Sequence, residues 1–179
     1  MMRGFFGIGI EHSKSEVNVG TLWRSAHILG ALFIFTVGRR YTAQSSDVKK
    51  TWRSIPCFNF STLEDLKQHL PLETILIGIE MAAGAEAVDR FTHPERACYI
   101  LGAEDHGMSK AALGLCYRVI RLPGNDCLNV AVAGSIVMYD RLRQYKLNGK
   151  KIVLPKWDIE FKTSDLPRWE PKVALGRDR

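Results

Sequence analysis

The sequence predicts an α/β fold, a mostly parallel sheet flanked by helices. Strand-length apolar runs alternate with helically spaced segments along most of the chain. One of them, residues 31–37, is a continuous apolar run of the length a buried strand needs. A composition of 46% hydrophobic and 25% charged residues suits one ordinary globular core in a chain of 179.

The elements follow in order. Residues 4–10 read as the first strand. Residues 19–29 have helical spacing, with Leu22, Ala26 and Leu29 on one face and Gly30 at the end. Residues 31–37 and 55–60 are the next strands. Ser61 and Glu64 have capping-box spacing, which opens a helix to about Leu70 that Pro71 closes. Strands are expected at 74–79, 97–101 and 118–122, with a short helix at 110–116 capped by Ser109. A long helix runs from Val130 to about Leu147, apolar nearly all round until Tyr139 and charged beyond. From Gly149 the pattern weakens, and Trp157, Phe161 and Trp169 are interleaved with Lys and Arg. The expected organisation is one domain over 1–148 and a basic extension over 149–179.

Several function classes are poorly supported. No apolar run has membrane-spanning length, and the N-terminus does not read as a signal peptide, so a cytoplasmic protein is expected. The four cysteines, Cys57, Cys98, Cys116 and Cys127, show no C-x-x-C spacing, and the five histidines are scattered. Free thiols and no metal are expected. Gly7-Ile8-Gly9 lacks the third glycine of a dinucleotide fingerprint, and Gly102 to Gly107 is followed by Met108 and Ser109 where a phosphate-binding loop needs Lys and Ser/Thr.

Charge is distributed unevenly. From residue 141 onward there are eleven Lys/Arg against five Asp/Glu, so the C-terminal end carries the whole net charge of +6. Such asymmetry points to a polyanionic partner or, equally, to a solvated basic tail.

Three stretches have more specific content. The first runs from Asn18 to Ala26, with Asn18 where it can cap a helix and Arg24 six residues on. The second, from Tyr99 to Ser109, is a buried strand ending in Gly102 with Glu104 just beyond, at the edge where open α/β sheets bind ligands. The third, from Leu122 to Ala133, passes from strand through a Pro-Gly turn to Asn129 at a helix N-terminus. Each has a plain structural reading as well: a surface arginine, a strand-to-helix turn, a cap.

Together and in this order the three stretches resemble the signature of the SpoU, or TrmH, family of RNA methyltransferases, in the SPOUT class. The resemblance rests on Asn18-x-Gly20 followed by Arg24, on Gly102-x-Glu104-x-x-Gly107, and on the Leu122-Pro123 turn that leads to Leu128-Asn129. It spans roughly residues 5–147. Cys127 stands where the family usually has serine, and the turn before it is shorter than in many relatives.

The resemblance implies a deep C-terminal trefoil knot, a homodimer with active sites at the subunit interface, and methyl transfer from S-adenosylmethionine to a ribose 2′-hydroxyl of RNA. It places Ile79, Glu80, Gly102, Leu122, Cys127 and Leu128 around the cofactor. Arg24 matches the arginine assigned as general base in the family. Because a guanidinium resists deprotonation, holding a phosphate and stabilising a developing alkoxide is an equally physical role for it. Asn18, Glu104 and Asn129 would fix Arg24 and the RNA. With no extra RNA-binding domain read before the first motif, tRNA is favoured over rRNA. The alternative from another class is a non-catalytic RNA-binding protein that kept the fold. A further alternative, a nucleotide-binding α/β protein unrelated to RNA, must treat all three motifs as accidents.

Overall fold

The computed structural model describes residues 4–39 and 51–148. Seven strands form one sheet: β1 (Phe5–Glu11), β2 (Phe33–Val37), β3 (Cys57–Phe60), β4 (Ile75–Ile79), β5 (Glu86–Ala87), β6 (Arg96–Leu101) and β7 (Arg118–Arg121). Their order is β3-β2-β1-β6-β4-β7-β5, and every neighbouring pair is parallel. The helices are α1 (Glu16–Leu29), α2 (Leu63–His69), α3 (Lys110–Leu115) and α4 (Val130–Leu147), with a 3₁₀ turn at Thr51–Arg53. The predicted parallel α/β architecture is present. The extension predicted for 149–179 lies outside the described residues.

A parallel sheet needs cover on both faces, and the period of two along each strand supplies it. Ala97, Tyr99 and Leu101 of β6 join Ile8, Ile10, Leu22, Trp23, Val137 and Met138 in the core under α1 and α4. Cys98 and Ile100 face the other way, into a core with Phe33, Phe35, Leu63, Leu66 and Ala112 under α2 and α3. Gly7 and Gly9, which form no nucleotide fingerprint, have a packing role. A Cβ on either would lie 2.2–2.5 Å from atoms of Phe33 or Phe35.

Two helix starts and one added strand are the main departures from the sequence reading. Helix α1 starts at Glu16, and its cap is Ser15, whose Oγ accepts from the Asn18 amide at 3.3 Å. Asn18 is therefore inside the first turn and its side chain is released for other work. Helix α2 is capped by Thr62, which accepts from the Asp65 amide at 3.1 Å, and Asp65 in turn accepts from the Ser61 amide at 3.1 Å. The capping pair is shifted one residue from Ser61 and Glu64. Strand β5, two residues at the sheet edge, has no sequence signal.

Helix α4, apolar nearly all round in its first half, needs cover on every side. Gly134 abuts this chain's own core: a Cβ there would sit 2.4 Å from Leu22 Cδ1. Helices α1 and α4 lie side by side, with Ser135 Oγ donating to Ser25 Oγ at 2.8 Å. What α4 leaves outward is Val132, Ile136 and Tyr139, and α1 leaves Val17 and Ile28.

The amino ends of the central strands are locked by a buried polar network. Arg141 is 4% exposed, and its guanidinium donates to the carbonyls of Pro94, Glu95 and Phe5. It also lies over the rings of Phe6 and Tyr145. His93 Nδ1 is 2.5 Å from the Tyr99 hydroxyl and its Nε2 is 3.2 Å from Asp140 Oδ2. Burial lowers the His93 pKa to about 4, overriding the opposing effect of the hydrogen bond that His93 donates to Asp140. A neutral imidazole that donates from Nε2 to Asp140 and accepts the Tyr99 proton at Nδ1 satisfies all three groups.

Candidate active site

The carboxyl ends of β1, β6, β4 and β7 finish level, with Ile10 and Ile79 both opposite Leu101, and Ile79 opposite Ile120. Beyond them the chain builds a cavity of about 430 Å³, within the usual range for small-molecule sites. Its walls come from the ends of β4, β6 and β7 and from the N-terminus of α4.

The loop after β6 explains the second motif. Ala103 and Gly107 exchange backbone hydrogen bonds of 3.2 and 2.9 Å, so the chain doubles back within five residues. A Cβ on Gly102 would meet the Gly107–Met108 backbone at 2.0–2.1 Å, and Gly107 has φ +64°. Both positions require glycine, one for close approach and one for its left-handed conformation. The hairpin presents Glu104, Asp105 and His106 outward.

Two carboxylates fix this loop from below. Glu80 Oε2 accepts from the Met108 amide at 2.7 Å, and Oε1 from the Met81 amide at 2.9 Å. Glu11, 2% exposed, accepts from the Ser109 amide and hydroxyl at 2.9 and 2.7 Å. Ser109 also caps α3, as predicted. Glu80 thus lines the cavity with both oxygens committed to backbone amides, and Glu11 was not singled out from sequence.

All six residues expected around a cofactor line the cavity: Ile79, Glu80, Gly102, Leu122, Cys127 and Leu128. So do Glu104 and Asn129. At its lip three residues from three motifs meet. Asn18 Nδ2 donates to Glu104 Oε1 at 2.9 Å, and Asn129 Nδ2 donates to Asn18 Oδ1 at 3.0 Å. Asn129 also caps α4, its Oδ1 accepting from the Ala131 and Val132 amides at 2.9 and 3.4 Å. The second oxygen of Glu104 accepts from the Lys14 amide at 3.3 Å. Lys14 Nζ pairs with Asp105, and this pairing lowers the Asp105 pKa.

Arg24 is not brought to this cluster. It is exposed and does not line the cavity. Six residues along α1 place it about 9 Å farther down the axis than Asn18 and on a different side. It lies in the outward stripe with Val17, Thr21 and Ile28.

The electrostatics of the cavity restrict what it can hold. Glu80, Glu104, Asp105 and Asp126 line it, and among the described residues lining it there is no Lys or Arg. Apolar walls come from Ile79, Leu101, Leu122, Val130 and Ala133. Such a site suits a flat apolar group joined to a cation, and it disfavours a polyphosphate. No group of three His, Cys, Asp or Glu able to hold a metal occurs among the described residues. No helix among them is long and apolar enough to cross a membrane.

Comparison with known proteins places this architecture in a defined class. Residues 6–139 match the model of the SpoU rRNA methylase family. A 23S rRNA (guanosine-2′-O-)-methyltransferase RlmB of Nitrosomonas europaea is 24% identical over 80% of this chain and 59% of its own length. The protein of the same name from Bordetella pertussis is 28% identical over 46% of this chain and 34% of its own. The chain thus spans about a third to three-fifths of the length of these curated relatives. Among solved structures, the SpoU methyltransferase AviRb of Streptomyces viridochromogenes, in complex with AdoMet, superposes with TM-score 0.71. It has 22% identity and covers 82% of this chain and 60% of its own. The TrmH/SpoU tRNA modifying enzyme of A. aeolicus gives TM-score 0.72 at 16% identity, over 82% of this chain and 78% of its own. A family match over three motifs and most of the chain defines membership: this protein belongs to the SpoU rRNA methylase family.

Proposed function

We propose that the protein transfers a methyl group from S-adenosylmethionine to a ribose 2′-hydroxyl of RNA. The observation that carries this reading is the acidic, cation-favouring cavity with the Asn18–Glu104–Asn129 chain on its lip. S-adenosylmethionine has an apolar adenine and a cationic sulfonium, which fits those walls. When bound, it supplies an already activated methyl.

The chain's own residues then have to orient the nucleophile. S-adenosylmethionine held in the cavity would supply its methyl to the 2′-oxygen and leave as the neutral thioether, and the 2′-hydroxyl proton would pass to water as the new bond forms. Glu104, Asn18 and Asn129 hold the ribose in line, and positioning of this kind contributes several kcal/mol. Glu80 and Glu11 keep the 102–109 loop closed around the donor.

Arg24 acts in this scheme from a second subunit. It stands in an outward apolar stripe of α1, and the α4 residues Val132, Ile136 and Tyr139 are exposed beside it. A second copy packed on these stripes buries them and presents Arg24 to the partner's cavity, where it holds a phosphate or the developing alkoxide. We also take the family's trefoil knot to lie between β4 and α4. The strand order β1-β6-β4-β7 supports this, since the chain leaves β4, enters inside it as β6 and returns outside it as β7.

The RNA is transfer or ribosomal. Relatives divide in the names they bear, rRNA for the curated ones and tRNA for the A. aeolicus enzyme. The test is transfer of labelled methyl from S-adenosylmethionine to unmodified rRNA and tRNA transcripts, followed by alkaline digestion. Label in alkali-resistant dinucleotides is expected, because a methylated 2′-oxygen cannot attack the adjacent phosphate. Label on a free base would contradict the ribose assignment. Absence of label with every RNA, in a protein that still binds RNA, would favour the non-catalytic reading.

A further inference from the structure

Arg39 follows β2 and belongs to none of the three motifs. Its Nη1 donates to the carbonyls of Ser13 and Lys14 at 3.2 and 3.3 Å, and its Nη2 lies 3.7 Å from Glu16 Oε1. The Ser13 carbonyl and the Lys14 amide belong to one peptide unit. That unit is planar and trans, so its C=O and N–H point in opposite directions. Arg39 takes the oxygen on one side, and Glu104 Oε2 takes the N–H on the other at 3.3 Å.

We propose that Arg39 is a positioning residue for the Glu104 carboxylate, acting through the Ser13–Lys14 peptide. The proposal rests on the methyltransferase reading above. By fixing the carbonyl, the guanidinium fixes the direction of the Lys14 N–H, and a cation on the oxygen also polarises the amide and strengthens its donation. Glu104 has one oxygen on this amide and the other on Asn18, so the Lys14 bond sets the angle at which the Asn18–Asn129 chain continues. Without Arg39 the peptide is free to tilt, and the carboxylate pivots about its remaining bond to Asn18. Arg39 does not line the cavity, so the cofactor is expected to bind normally.

The test compares Arg39→Ala and Arg39→Lys with wild type in methyl transfer to whichever transcript accepts label. Arg39→Ala is expected to lower kcat on the order of 10- to 100-fold, with cofactor affinity, RNA KM and the salt dependence of KM unchanged. Arg39→Lys should recover part of the loss, since one ammonium can reach both carbonyls. The Lys14 amide resonance should shift and exchange faster in Arg39→Ala. A raised KM with intact kcat and a flatter salt dependence would make Arg39 a phosphate contact and overturn the proposal. Unchanged kinetics would overturn it too. If Arg39→Ala does not fold, Arg39→Gln, whose shorter amide is neutral, replaces it under the same criteria. If wild type methylates no RNA, the functional reading fails separately, and the Lys14 amide still decides: an unchanged resonance in the variants sinks the positioning role.

Discussion

Asn18, Glu104 and Asn129 exchange hydrogen bonds at the surface, beyond the carboxyl ends of the strands. His93, Tyr99 and Arg141 exchange theirs at the amino ends, where little water reaches. The first cluster joins three exposed or half-buried side chains to one another and to the Lys14, Ala131 and Val132 amides. The second ends on backbone carbonyls and aromatic faces, with its donors consumed. A hydrogen bond open to water contributes about 1 kcal/mol, whereas each buried bond from a charged donor contributes about 1.5–3 kcal/mol. The lower cluster therefore holds the fold, and the upper one, apart from the Asn129 cap on α4, holds a geometry that the fold does not need.

The largest expected effect falls on the lower cluster. Arg141→Met removes the charged donor from the carbonyls of Phe5, Pro94 and Glu95, of which Pro94 keeps the Tyr145 hydroxyl and Glu95 the Phe5 amide, and is expected to destabilise by about 3 kcal/mol. Denaturant unfolding measures this. A loss under about 1 kcal/mol would mean that the Tyr145 hydroxyl and the Phe5 amide suffice for these carbonyls and that the contrast between the clusters is false.

His93 gives the same region a pH signature. Its folded pKa of about 4 lies below the unfolded value of 6.5, so the unfolded chain binds the proton first. Stability is complete above pH 6.5 and falls as pH drops toward 4, by about 3 kcal/mol from this group alone. Between those limits wild type should take up one more proton on unfolding than His93→Gln. Equal slopes in the two proteins would remove His93 from the account.

Arg24 tests how far the upper site extends beyond one chain. Arg24→Ala and Asn18→Ala homodimers should each lose transfer by about 100-fold or more. Mixed heterodimers should regain part of the activity, because one of their two sites draws an intact Arg24 and an intact Asn18 from different subunits. No recovery on mixing, or a monomer in sedimentation at working concentration, would place Arg24 outside the reaction. The smallest effect is at Cys127, which lines the cavity and is exposed. Cys127→Ser should leave stability within about 0.5 kcal/mol and transfer near wild type. A large loss would show that the thiol has a role serine cannot fill.

The strands and helices were legible because each is a local pattern. Apolar runs marked β1, β2, β4 and β6, and helical spacing marked α1 and α4. Strand β5 escaped because Glu86 and Ala87 carry no apolar signal and pair only at the sheet edge. The start of α1 was misplaced because Asn18 is a good cap residue and drew attention from Ser15, which does the capping. The upper cluster was legible only as three motifs in order. Its bonds join residues 86 and 111 positions apart, and no local rule relates them. Arg39 and Glu11 were not legible at all, since each acts on backbone or side-chain groups that only the folded sheet brings within reach.

The most direct measurement is single-turnover methyl transfer by Asn18→Ala at saturating S-adenosylmethionine, with a melting curve on the same preparation. Asn18 touches both Glu104 and Asn129, and its side chain caps no helix. The account predicts a loss of transfer of about 100-fold with a melting temperature within a few degrees of wild type and cofactor affinity retained. Near-normal transfer, or a collapse of stability that accounts for the loss, would contradict it.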